Sequence, residues 1–342
     1  MEENPKKIFY MLIPVIVLCL LVYSKHKKPQ ILVESGNIIV MNTIAKITAV
    51  AKDEKTARAA IDAATKEVKR LEGLMNRYDP NSQLSLVNRQ ADKEPVKIDK
   101  DLFEVFQRAI YYSKLTDGAF DITVAPLIDL FRACAEANTP PTAQQLAEVK
   151  EKIGCEKILL DANDFSIRLA AGGMKLDLGA IAKGYAADKA VAIMKNHGAT
   201  GGLVNLGGQI GSFGTTETKG KWMLGVQDPA NPQGDKIITA FALNDSAIAT
   251  SGNYHRFYTI AGKQYSHIFN PATETSADAL SSVTIFAETG TAADALATAV
   301  SVMGAEKGLE LIKKLKNTEA IIIVAETGQT IKTDGIQKFL AK

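Results

Sequence analysis

The sequence predicts an α+β fold with a mainly antiparallel sheet and packed helices, and three observations predict it. Short runs of strand character outnumber the crossover helices that a doubly wound parallel sheet needs. Two of them, Phe257–Ile260 and Gln264–Phe269, flank Ala261-Gly262-Lys263, the mark of a hairpin. No period of about 20 to 50 residues recurs, which excludes a solenoid.

Lys6 and Lys7 precede an apolar run from Ile8 to Tyr23, interrupted only by Pro14. A helix of that length covers about 24 Å, short of the ~30 Å hydrocarbon core of a bilayer. Length and flanks suit the apolar part of a signal sequence or a short uncleaved anchor, with Val22 and Ser24 placed for cleavage after Ser24. Leu18 is too large to precede a lipidated Cys19, and Lys25, Lys27 and Lys28 blur the orientation signal. A buried core helix is the alternative. Residues 1–30 are therefore expected to be a signal sequence or N-terminal membrane anchor, and 36–342 the folded body.

Within that body, Ile61, Ala64, Val68, Leu71 and Met75 recur at spacings of three and four, which predicts an amphipathic helix over Lys55–Met75. A second helix is expected over Lys100–Ser113. A third opens at Thr142, where Thr142 and Gln145 have capping-box spacing, and stops at Gly154. Strands are expected at Lys157–Leu160, Ser166–Ala170, Met174–Asp177, Leu203–Leu206, Trp222–Val226, Ile237–Leu243, Arg256–Ile260, Ser282–Phe286 and Ile321–Val324. Further helices open at Thr291 and Glu306.

Composition is globular, 46% hydrophobic and 23% charged. Net charge is +2, but the first 28 residues hold five Lys against two Glu; subtracting that +3 leaves −1 for the rest. So neutral a body lacks the electrostatic footprint for a polyphosphate partner, which argues against nucleic acid. Cys134 and Cys155 lack the clustering of a zinc site and are either a disulfide or two free thiols. No Gly-x-Ser-x-Gly elbow or Cys–His motif supports a covalent hydrolase.

Four segments carry candidate chemistry. In Lys175–Asp188, a strand ending at Asp177 runs through Gly179 into a helix whose N-terminus and Lys183 suit an anion; alternatively Asp177 caps the helix and Lys183 is solvated. Asn205–Gly214 is glycine-rich without the spacing of a Rossmann or Walker loop, and reads equally as a hairpin or bulge. Asp294 and Thr298 lie four apart, offering hard oxygens suited to Mg²⁺ from one helix face, unless Thr291 and Asp294 simply cap that helix. His267 ends a strand beside Ser266 and suits a proton acceptor acting on a hydroxyl, or a structural role.

Together these segments resemble the ApbE family of periplasmic FAD:protein FMN transferases, from about Met41 to Gly304. The resemblance rests on Met41-Asn-Thr43, Arg77-Tyr78, Gly118-Ala-Phe-Asp-Ile-Thr-Val-Ala-Pro126, Asp177-Leu-Gly-Ala-Ile-Ala-Lys-Gly-Tyr185, Asn205-Leu-Gly-Gly208, Ala249-Thr-Ser-Gly252, Tyr265-Ser-His-Ile268 and Ala293-Asp-Ala-Leu-Ala-Thr298. It implies a core of the tunnelling-fold kind. It also implies FAD contacts at Met41, Tyr78, Ala119, Phe120, Asp121, Asp177, Lys183 and Ile268. Tyr78 and Phe120 would offer flat apolar surface, and Asp121 and Asp177 acceptors for ribityl, ribose or adenine groups. Ala180 through its carbonyl, with Asp294 and Thr298, matches the Mg²⁺ site. His267 matches the catalytic residue, and Lys183 would stabilise developing charge.

The implied reaction is Mg²⁺-dependent transfer of FMN from FAD to a Ser or Thr hydroxyl, releasing AMP. The implied acceptors are membrane-associated redox subunits of the Rnf or sodium-pumping NADH:quinone reductase type, on the periplasmic side of the inner membrane. An FAD pyrophosphatase and a non-catalytic periplasmic FAD-binding protein are the alternatives. Asn42 and Glu274 stand where relatives often carry glycine, and Ala297 where they often carry another oxygen ligand.

Overall fold

A nine-stranded antiparallel sheet organises the chain in a computed structural model that describes residues 30–218, 220–227, 237–252 and 257–340. Its strands are β1 (Ile31–Glu34), β2 (Ile38–Val40), β3 (Thr43–Ala51), β4 (Gly201–Leu206), β5 (Gln209–Gly214), β6 (Ala247–Gly252), β7 (Leu280–Ala287), β8 (Glu319–Val324) and β9 (Thr330–Lys332). They lie in the order β1-β3-β4-β5-β6-β7-β8-β9, with β2 also paired to β3. Helices α1 (Glu54–Met75), α2 (Gln83–Gln90), α3 (Lys100–Leu115), α4 (Ala125–Glu136), α5 (Ala143–Lys150) and α6 (Ala182–Asn196) fill the excursion from β3 to β4. Helices α7 (Gly290–Met303) and α8 (Ala305–Lys314) join β7 to β8. The α+β expectation holds. The apolar run of residues 1–30 lies, apart from Gln30, outside the described residues.

The alternation of side chains along each strand sends residues to two cores. In β6, Ala247 and Ala249 join the large core beneath α1, α6 and α7, while Ile248 joins a second core on the far face. There Val50, Ile248, Phe286 and Ile321 are covered by Trp222, Phe241 and Leu243 of the antiparallel pair Trp222–Gln227 and Ile237–Leu243. On the near face the predicted stripe of α1 is buried throughout, Leu71 completely. Leu71→Ala would therefore cost about 2–5 kcal/mol.

A third cluster ties α4 and α5 to the predicted hairpin, now Phe257–Ile260 paired with Lys263–Ser266. Ala261 and Gly262 turn it at φ 48° and 78°, the left-handed geometry a two-residue hairpin requires. The capping box of α5 is present, with Thr142 and Gln145 bonding reciprocally, although that helix ends at Lys150, before Gly154. Cys134 and Cys155 are both buried free thiols.

Met174–Asp177 is not a strand of any sheet. Its backbone is satisfied otherwise: the Asn88 side chain accepts from Leu176 N–H at 2.7 Å and donates to its carbonyl at 3.0 Å, and Asp177 N–H donates to Ile122 O at 2.7 Å. The segment thus has no strand neighbour.

Candidate active site

Two of the eight motifs lie in neighbouring turns at one end of the sheet. The β2–β3 turn holds Met41 and Asn42, and the β4–β5 turn holds Gly207 and Gly208. These turns touch, since a Cβ on Gly207 would fall 2.1 Å from Thr43 Oγ1. Met41 and Asn42 are both left-handed, at φ 51° and 55°, which costs Met41 about 1–2 kcal/mol and Asn42 less. Met41 N–H donates to Glu72 Oε1 at 2.6 Å, drawing the turn onto the end of α1.

Directly after α1, Arg77 makes an ionic clasp. Its guanidinium grips both oxygens of Asp129 on α4 at 2.7 and 2.8 Å and reaches Asp177 Oδ2 at 3.2 Å. Burial opposes its charge, but Asp177 and Asp129 outweigh that and hold its pKa raised. Tyr78 is 61% exposed, with the guanidinium of Arg132 5.1 Å from its ring centre and donating to its hydroxyl at 2.8 Å. Tyr258 adjoins the same cation; burial pushes its phenol up and Arg132 pulls it down. Tyr78, Arg132 and Tyr258 therefore join three separate elements around one exposed ring.

Asp177 does not cap α6. Its Oδ1 accepts from Gly179 N–H at 2.7 Å, forming a turn ahead of the helix, and Lys183 Nζ donates to Gly179 O at 3.1 Å. Nor does Asp294 cap its own helix, because Thr289 does so by accepting from Ala292 N–H at 3.2 Å. Asp294 instead accepts through Oδ2 from Gly184 N–H of α6 at 2.9 Å. In a regular first turn that amide would reach back to Ala180. Diverted to Asp294, it leaves the Ala180 carbonyl accepting no hydrogen bond among the described residues, and Asp294 Oδ1 likewise.

The helices can approach this closely because both contact residues are glycine. A Cβ on Gly184 would meet Gly290 O at 2.1 Å and Asp294 Cβ at 2.7 Å. Thr298, one turn along from Asp294, lies 3.4 Å from Ser251 Oγ of β6. An unsatisfied carbonyl, a buried carboxylate and a hydroxyl are a hard-oxygen donor set, and they fit Mg²⁺. Burial raises the Asp294 pKa, against the pull of the Lys183 ammonium and the Gly184 amide. Among the described residues no group of three His, Cys, Asp or Glu offers a second kind of metal site.

His267 follows the strand Lys263–Ser266 and is half-buried. Its neighbours are fixed on both sides. Ser266 N–H donates to Asp278 Oδ1 at 3.1 Å, Ser266 Oγ accepts from Ile268 N–H at 3.1 Å, and Ile268 O accepts from Ala277 N–H at 2.8 Å. Tyr265 leans on Phe131 of α4, ring centres 5.3 Å apart, so the hairpin carrying His267 rests on the helix that carries Asp129 and Arg132.

Two side-chain expectations are corrected. Phe120 offers no flat surface to a ligand; it is 1% exposed and packs edge-on against Tyr112. The Asp121 carboxylate is committed to its own loop, accepting from Thr123 N–H and Oγ1 at 2.6 and 2.5 Å and from Cys155 N–H at 3.1 Å. Burial raises its pKa against those bonds. Ala119, Phe120 and Asp121 thus have backbone rather than these side chains to present.

The sequence reading assigned no role to Glu72, Asp129, Arg132, Asp188, Ser251 or Tyr258. The spacing of Asp129 and Arg132, three apart on one helix, carried a signal, but α4 itself was not expected.

The ApbE family profile matches residues 41–322. A Treponema pallidum protein named FAD:protein FMN transferase is 31% identical over 303 residues, covering 83% of each chain. The crystal structure of the ApbE protein of Thermotoga maritima superposes with a TM-score of 0.80 at 29% identity, over 92% of this chain and 100% of that one. The flavin transferase ApbE of Vibrio cholerae does so with a TM-score of 0.78 at 25% identity, over 91% and 100%.

Proposed function

This chain belongs to the ApbE family, and we propose that it is an FAD:protein FMN transferase that moves FMN from FAD to a Ser or Thr hydroxyl of an acceptor protein with Mg²⁺ bound. One observation carries the metal reading: the diverted amide of Gly184, which leaves an oxygen of Ala180 and one of Asp294 without donors, Thr298 lying one turn along the same helix as Asp294. When bound, Mg²⁺ supplies Lewis-acid stabilisation of charge on the phosphates.

The remaining roles belong to side chains. Lys183 brings a cation to the turn at Gly179, where the pyrophosphate of FAD lies in this reading. Arg77 holds Asp177 in place, and each Asp177 oxygen, already accepting one bond from the protein, keeps a second lone pair for hydroxyl donors of the substrate. His267 takes the proton of the acceptor hydroxyl as its oxygen bonds to the FMN-side phosphorus. The bond from that phosphorus to the bridging oxygen breaks, and AMP leaves with the electron pair. A positioned base of this kind contributes ~10²–10⁴ in rate.

The N-terminal apolar run tethers the enzyme to the periplasmic face of the inner membrane in this reading, beside acceptors of the Rnf or sodium-pumping NADH:quinone reductase type. Co-expression with such an acceptor tests it. Covalent flavin fluorescence on the denatured acceptor, with one AMP released per flavin, is expected. Free FMN with no labelled acceptor would instead identify a pyrophosphatase, and bound FAD without AMP a binding protein.

A further inference from the structure

The β2–β3 turn is held by a group outside the segments that carry the family resemblance. Val40 pairs with Thr43 in the ladder, and Met41 and Asn42 between them are both left-handed. The ladder leaves the Met41 amide unused, and it donates to Glu72 Oε1 at 2.6 Å. Glu72 also ends α1 through its main chain, its carbonyl accepting from the Asn76 amide at 3.0 Å. One residue thus fixes the turn with its side chain and the exit toward Arg77 and Tyr78 with its backbone. Asn42 makes the anchor matter more here, because glycine at that position enters the left-handed region without steric cost.

We infer that Glu72 is a positioning residue for FAD, holding Met41 in the conformation and register that the binding site needs relative to Tyr78. This rests on the FAD reading above. Glu72 acts through Met41, so its loss shows in FAD affinity rather than in the turnover of bound FAD. Gln retains an acceptor oxygen and replaces Glu72 in part, whereas Ala does not.

The test is FAD titration of the purified full chain in EDTA, followed by flavin fluorescence, with kcat measured separately at saturating FAD and Mg²⁺. Glu72→Ala is expected to weaken FAD binding about tenfold with kcat little changed, and Glu72→Gln to stay within about threefold of wild type. Adding Asn42→Gly to Glu72→Ala should recover part of the lost affinity by making the turn less costly. Wild-type affinity in Glu72→Ala overturns the inference. So does a Glu72→Gln variant that loses affinity and melting temperature as far as Glu72→Ala, since that marks a role in folding alone. A wild-type chain with no saturable FAD signal overturns the flavin reading, and this inference with it.

Discussion

Asp188 and Asp294 each lend a carboxylate to the helix on which the other sits. Asp188 of α6 accepts from Gly290 N–H, Thr291 N–H and Thr291 Oγ1 of α7 at 2.6, 2.9 and 2.6 Å, and Asp294 of α7 accepts from Gly184 N–H of α6 at 2.9 Å. Burial raises both carboxyl pKa values, against these bonds. The exchange sets the depth at which α7 presents Asp294 and Thr298.

Asp294→Asn should stabilise the metal-free protein. A raised folded pKa means that the folded state binds more protons than the unfolded one, so this group's contribution falls as pH rises from the ordinary carboxylate range through the raised value. Above that raised value the full penalty stands. Asn removes the charge and still accepts from Gly184. Melting in EDTA at pH 7 should show a higher Tm for the variant, a gap that closes in acid, and no stabilisation by added Mg²⁺. A lower Tm at pH 7 would contradict this.

Asp188→Ala should act in the opposite direction. It strands three donors at the start of α7, and the loss should be about 2–4 kcal/mol in denaturant unfolding. Mn²⁺ affinity, measured as a surrogate for Mg²⁺, should fall with it because α7 is no longer seated. Unchanged stability would show that water satisfies these groups as well as Asp188 does.

His267→Ala should keep FAD binding within a few fold while transfer to a Thr-bearing acceptor falls by ~10²–10⁴. In the wild type, kcat should drop on acidification as the imidazole is protonated, where chemistry limits the rate. Parallel loss of binding and transfer would make His267 a binding residue. Asp121 is then no substitute as a base, its carboxylate being buried and bonded within its own loop.

Residues 30–342 should be soluble and active on their own in vitro. The residues matched to the FAD site begin at Met41, and β1 begins at Ile31. Purified truncated protein should transfer flavin at the rate of the full chain in detergent. A folded but inactive truncation would show that the N-terminus takes part in the site.

Glu274→Gly should be more stable than Glu274→Ala by about 1 kcal/mol in thermal unfolding. Glu274 is left-handed, at φ 53°, and its side chain pairs with Lys150 at 2.8 Å. Both variants lose the ion pair, but alanine keeps the strained backbone and glycine relieves it. Equal melting would mean that the turn relaxes around alanine.

Legibility in the sequence followed periodicity. The stripe of α1 and the turn chemistry at Ala261-Gly262 were plain, because spacing and φ requirements are local. Strands β5 and β6 were not, because small residues interrupt both of them. A Cβ on Gly211 would already lie 3.3 Å from Val191, so α6 dictates small side chains that carry no strand signal. Strands β1, β2, β3 and β9 and helices α2 and α4 also went unrecognised. At the site, the motifs marked where chemistry clusters, but not which side chains face it. Phe120 and Asp121 sit in a motif and turn inward, while Arg132 and Tyr258 sit in none and flank Tyr78. Such orientation depends on contacts between segments far apart in sequence.

The pairing of Val50 with Gly201 has a kinetic consequence. Joining β3 to β4 closes a loop of roughly 150 residues, whose length-dependent entropy alone is on the order of 4 kcal/mol. Met41 lies before that loop, Tyr78, Asp177 and Lys183 within it, and Asp294 and Thr298 after it. Nascent or partly refolded chains that have not made this closure are expected to hold the residues matched to the FAD site apart and to bind no flavin. Flavin capture during refolding would therefore report the slow, long-range step rather than early helix formation.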